Sequence, residues 1–72
     1  MDLQEYKDNG YKKDLYLYAF RKDFKQYTIT VFPFQTIIQL GKTMITLDRV
    51  VSTKTIELIA QTIYDIINEE VN

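Results

Sequence analysis

The chain contains no cysteine and no histidine. The first absence excludes a disulfide framework and any thiolate metal site. The second removes the commonest zinc ligand and the commonest general base. Glycine occurs only at Gly10 and Gly41, too far apart to form a phosphate-cradling loop. Proline occurs only at Pro33. No stretch approaches the ~18 apolar residues of a membrane-spanning helix. Asp2, Glu5, Lys7 and Asp8 interrupt the first residues, which therefore lack a signal-peptide core, and a cytoplasmic location is expected. An excess of one charge is missing too: nine basic and ten acidic residues leave a net charge of −1. No global field steers the molecule towards nucleic acid.

What is present describes a folded domain. The 72 residues are 46% apolar and include six Tyr and four Phe, a composition of globular rather than disordered chains. A single domain spanning 1–72 is expected. A chain of this size buries only roughly 60% of its unfolded surface, so stability is thin. With the cysteine staples excluded, oligomerisation remains as a way to add to it. Local charge is uneven. Lys7, Lys12, Lys13, Arg21, Lys22 and Lys25 outnumber Asp8, Asp14 and Asp23, whereas the segment after Lys25 is net acidic. Such a basic run is most simply a solvated surface. Abundant Ile, Lys and Tyr beside only two Ala point to an AT-rich coding sequence.

The strongest periodic signal predicts a helix over residues 52–70. Ser52 is placed to cap it, and Val51 and Ile56 occupy the positions of a hydrophobic staple. Ile56, Ile59, Ala60, Ile63, Tyr64, Ile66, Ile67 and Val71 share one side, an arc of about 160°. Glu57, Gln61, Thr62, Asp65, Asn68 and Glu69 fill the other, from which Leu58 projects alone. Glu69 and Glu70 oppose the helix dipole, so the last turn is expected to fray or to answer a basic group.

Upstream, alternation predicts strands. Tyr27–Phe34 sets Tyr27, Ile29 and Val31 against Thr28, Thr30, Phe32 and Phe34. Pro33 makes this strand an edge or ends it. Thr36–Leu40, Gly41-Lys42 and Thr43–Leu47 form a type II′ hairpin pattern, pairing Leu40 with Thr43, Ile38 with Ile45 and Thr36 with Leu47. The Ile38–Ile45 face is the expected floor for the helix. Leu15–Arg21 also alternates, Leu15, Leu17 and Ala19 against Tyr16, Tyr18 and Phe20, and is read as a strand apolar on both faces. Near the N-terminus two patterns compete. Asp2 and Glu5 fit a capping box with Gly10 ending a short helix, while Asn9-Gly10 fits a type I′ hairpin; the hairpin is slightly preferred because Lys12–Phe20 offers a long partner. The expected fold is α+β: an antiparallel sheet of four to five strands with one C-terminal amphipathic helix packed on one face.

Candidate chemistry is sparse. Asp14, Asp23, Asp48, Glu57 and Asp65 show no dyad or ligand spacing, so no enzymatic activity, cofactor or metal is expected. The helix moment does not imply a membrane surface, because its polar face is acidic. Contact with another protein is the leading expectation. Tyr16, Tyr18, Phe20, Arg21 and Lys22 form an aromatic-basic strip of the residue types that anchor interfaces, with Leu58 as a secondary contact. A sheet apolar on both faces would leave one face uncovered, and a two-fold homodimer is the simplest cover. By analogy with other small, catalytically bare chains from AT-rich sources, the expected role is a phage- or mobile-element-type accessory protein that binds and inhibits a host defence protein. The same strip could serve a single-stranded nucleic-acid binder, since bases stack on sheet aromatics and cations hold phosphates. A third alternative is an oligomerising structural component.

Overall fold

The structure is a computed structural model that describes residues 4–16 and 18–71, the last two by backbone only. Asp2, Leu3, Leu17, and the side chains of Glu70 and Val71 thus lie outside the described residues.

The chain opens with helix α1 (Gln4–Asp8) and continues through β1 (Lys12–Asp14), β2 (Ala19–Asp23), β3 (Thr28–Val31), β4 (Thr36–Leu40) and β5 (Thr43–Leu47) to helix α2 (Thr53–Val71). The five strands form one antiparallel meander in the order β1-β2-β3-β4-β5. The α+β expectation holds. No helix among the described residues is long and apolar enough to cross a membrane.

The β4–β5 register pairs Leu40 with Thr43, Ile38 with Ile45 and Thr36 with Leu47, as the hairpin pattern predicts. Gly41 has a φ of 61°, which the first position of the type II′ turn requires. Alternation then sends Ile29, Val31, Thr36, Ile38 and Leu40 to one face, all buried. Ile56 and Ala60 of α2, both fully buried, belong to the same core cluster, with Ile59, Ile63, Tyr64 and Ile67 packed against it.

Two features of α2 differ in degree from the periodic pattern. Ile66, expected on the buried side, is half exposed. Ile66 lies at the margin of the apolar arc, whereas Ile67, one residue further on and near the middle of that arc, still packs against the core. Glu57, placed on the polar side, is half buried because it accepts a 3.0 Å hydrogen bond from the Tyr11 hydroxyl.

The N-terminal segment is helix, not the preferred hairpin. Gly10 at a φ of 90° ends α1 in a left-handed turn. Tyr11 N–H reaches the Tyr6 carbonyl at 3.0 Å and Gly10 N–H the Lys7 carbonyl at 3.2 Å, the bond pair of a Schellman motif. The accompanying apolar contact is the edge-to-face pair Tyr6–Tyr11, with ring centroids 5.0 Å apart. Tyr6 is fully buried. A short helix can deliver that side chain to the core and still turn back into β1, which is why it prevails over Asn9-Gly10 hairpin chemistry.

α1 also secures the start of α2. The Ser52 hydroxyl accepts from Thr55 N–H at 3.2 Å, as the cap position predicts. Glu5 Oε1 accepts from both the backbone N–H and the hydroxyl of Thr53, each at 2.9 Å. Tyr6 donates its hydroxyl to the Val51 carbonyl. One orphan backbone donor of the first helical turn, Thr53 N–H, is thus satisfied from 48 residues away in sequence. Glu5→Ala removes the acceptor of two hydrogen bonds from the buried Thr53 and should cost about 1–3 kcal/mol in urea unfolding, while Glu5→Gln, which keeps one carbonyl acceptor, should recover most of it.

Candidate functional site

Leu15, Tyr16 and Tyr18 do not continue a strand. β1 and β2 pair through Lys12–Arg21, Lys13–Phe20 and Asp14–Ala19, and Leu15, Tyr16 and Tyr18 belong to the connection between them. The Asp14 carboxylate accepts Tyr16 N–H at 3.0 Å, a local turn bond that ends β1. Tyr18 adopts a φ of 51°, a left-handed conformation unusual for a bulky residue. The reason the ladder stops here lies one strand away. Phe20 pairs with Val31, so by extension Tyr18 would face Pro33, which has no N–H to give. Phe32 N–H instead bonds the Gln35 carbonyl at 2.8 Å, turning β3 into β4 through Pro33 and Phe34. Pro33 therefore ends its strand; β3 is the central strand of the sheet, not an edge.

The described apolar groups of this connection face solvent. Leu15 is 76% exposed, Tyr16 97% and Tyr18 78%. In a meander, the β1–β2 and β3–β4 connections lie at the same end of the sheet, so Phe34, 79% exposed, joins that end. Sequence reasoning placed Phe34 on a strand face and missed it; its signal was position, immediately after a turn proline.

The aromatic-basic strip is divided. Tyr16 and Tyr18 stand at the exposed connection. Phe20 turns to the helix side and packs half-buried against the core. Arg21 lies on the open face, its Nε 3.3 Å from Asp23 Oδ1 in the one ion pair among the described residues. Lys22 turns to the helix side, where Nζ donates to the Asn9 carbonyl at 3.0 Å and sits 5.6 and 5.0 Å from the Tyr11 and Phe24 ring centroids. Leu58 is exposed on the outward side of α2, across the molecule from the open sheet face. Lys22 and Phe20 hold the fold together, whereas Tyr16 and Arg21 meet: both line a shallow depression with Leu15, Asp14, Lys12 and Asp23.

The sheet is not apolar on both faces. The register puts Arg21, Asp23, Thr28, Thr30, Gln39 and Thr46 on the open face, with Ile37 and Met44 as its large apolar members. Thr28 donates to Asp23 at 3.0 Å. Water can solvate this surface, so a broad greasy platform needing cover is absent among the described residues. The most exposed large apolar groups, Leu15, Tyr16, Tyr18 and Phe34, gather at one end instead.

Perturbed side chains lie elsewhere. Tyr6, Tyr11 and Tyr27 all have their hydroxyls pushed to higher pKa, chiefly by burial, with Glu57 adding its negative charge. These groups belong to the packed interior, not to an open cleft. No group of three or more acidic side chains among the described residues is arranged to hold a metal ion. Comparison with protein-family models, with curated proteins and with solved structures finds no match to this chain, so its own surface carries the functional reading.

Proposed function

We propose that the protein is a small non-catalytic binding module that grips another protein through Leu15, Tyr16 and Tyr18 and the adjoining Arg21 depression. One observation carries this reading: Tyr16 and Tyr18 are held out in water, the second at a left-handed φ where glycine would be less strained. Exposed tyrosines beside an arginine are the residue types that anchor protein interfaces. Phe34 extends the same end. The finer proposal, an accessory protein of a phage or mobile element that binds and inhibits a host defence protein in the host cytoplasm, rests on analogy of size and composition.

The test uses paired variants. Tyr16→Ala and Tyr18→Gly alter only exposed positions. Each should weaken partner binding by about 1–3 kcal/mol, and Tyr18→Gly should leave thermal stability unchanged or up to about 1 kcal/mol higher by relieving the left-handed backbone. Affinity capture from host lysate, wild type against variant, reads the binding; circular dichroism melts read the fold. A captured protein retained equally by both variants would remove this end of the sheet from consideration. Binding that falls steeply from low to moderate salt would replace the proposal with a phosphate-driven one.

A further inference from the structure

The two edges of the sheet are built differently. β1 is three residues long and carries Lys12, Lys13 and Asp14, the short charged edge that discourages pairing with another chain. β5 is Thr43-Met44-Ile45-Thr46-Leu47, five residues with no charge and no proline. No strand among the described residues pairs with its outer side. Nothing on that strand blunts it.

The register fixes which of its groups are free. Leu40 and Thr43 close the two-residue Gly41-Lys42 loop, so the pairs Leu40–Thr43, Ile38–Ile45 and Thr36–Leu47 exchange hydrogen bonds. Met44 and Thr46 consequently direct their N–H and C=O groups away from β4. Their side chains lie on the open face, both exposed.

We infer that β5 pairs with β5 of a second copy, antiparallel and two-fold about Ile45, to make a continuous ten-stranded sheet. In that register Met44 faces Thr46, Thr43 faces Leu47, and each strand's free backbone groups meet their complements. The flanking residues decide the alignment. Lys42 falls opposite Asp48 of the second copy, and Asp48 opposite its Lys42, so opposite charges meet at both ends. Sliding the pairing by two residues either way shortens the overlap and sets Lys42 against Thr46, or Asp48 against Met44, losing both ion pairs. Both α2 helices then cover the same side of the joined sheet. The two aromatic ends point in opposite directions, giving a two-headed binder.

Solution mass by light scattering and sedimentation equilibrium tests this at low ionic strength, where exposed ion pairs are least screened. The wild type should reach twice the 8.6 kDa protomer mass and stop there. Met44→Lys with Thr46→Lys sets lysine against lysine and should raise the dimer Kd by at least about 10-fold without altering the circular dichroism of the fold. Lys42→Asp should weaken the dimer, and Lys42→Asp combined with Asp48→Lys should restore it. Tyr16→Ala, at the proposed binding end, should leave the mass unchanged, which separates this inference from the function proposed for that end. A wild type monomeric at about 100 μM, mass growing past two copies, a dimer indifferent to the double lysine variant, or a charge swap no better than the single change would each overturn the pairing.

Discussion

Between about pH 10 and pH 12 the domain is expected to lose its stability steeply. The Tyr6 hydroxyl is pushed up to about 12 by burial first, then by the negative charges of Glu5 and Glu57. Tyr11 is raised by burial, by the hydrogen bond it donates to Glu57 and by that carboxylate's charge. Tyr27 is raised by burial and by Glu57 and Asp65. An unfolded tyrosine ionises near pH 10. Below that value folded and unfolded chains both hold these protons, and stability does not depend on them. Above it the unfolded chain releases protons that the folded chain retains, so stability falls as pH rises and is lost through the folded pKa. Tyr6 alone accounts for about 2–3 kcal/mol over that window, at 1.36 kcal/mol per unit, with the other two tyrosines adding to it. In a domain holding only about 3–5 kcal/mol, this is enough to unfold it. Urea titrations at fixed protein concentration from about pH 8 to 12, with tyrosinate absorbance, would show the slope. Tyr6→Phe and Tyr11→Phe should each lower stability at neutral pH by about 1 kcal/mol through a lost hydrogen bond, yet flatten the alkaline fall. An alkaline slope unchanged in both variants would place the titrating groups elsewhere.

Ile56→Ala and Leu58→Ala, two positions apart on one helix, should behave oppositely. Ile56 is fully buried in the core cluster with Ile29 and Ile38, against the floor of the sheet. Its truncation removes buried methyl groups and leaves a cavity, at a cost of about 2–5 kcal/mol. That is comparable with the whole stability of so small a domain, so the variant should be largely unfolded at 37 °C, read by a flattened circular dichroism melt. Leu58 is 67% exposed, and its truncation should stay within about 0.5 kcal/mol. Equal losses at both positions would mean that α2 is rotated from the orientation described.

α2, the Gly41 hairpin and its register could be read directly because each is specified locally. A 3.6-residue apolar period, a capping Ser52 and a turn glycine act over a few residues, and the same few residues form the contacts they predict. The candidate site was legible only in part. In sequence Leu15, Leu17 and Ala19 alternate with Tyr16, Tyr18 and Phe20 as a strand would, yet β2 begins only at Ala19, and alternation alone cannot tell a strand from a loop that lacks a partner. Pro33 held the missing information, since the β2–β3 register sets Tyr18 opposite it.

The amino-acid order by itself determined that a C-terminal amphipathic helix lies on an antiparallel sheet, because local periodicity and turn chemistry suffice for that. Only the tertiary structure decided that Tyr6 enters the core from a helix, that Lys22 and Phe20 turn inward while Arg21 turns outward, and that the tyrosines leave the ladder. The physical reason is that hydrogen-bond partners on neighbouring strands, many residues distant, determine where a strand must end. No local propensity carries that count.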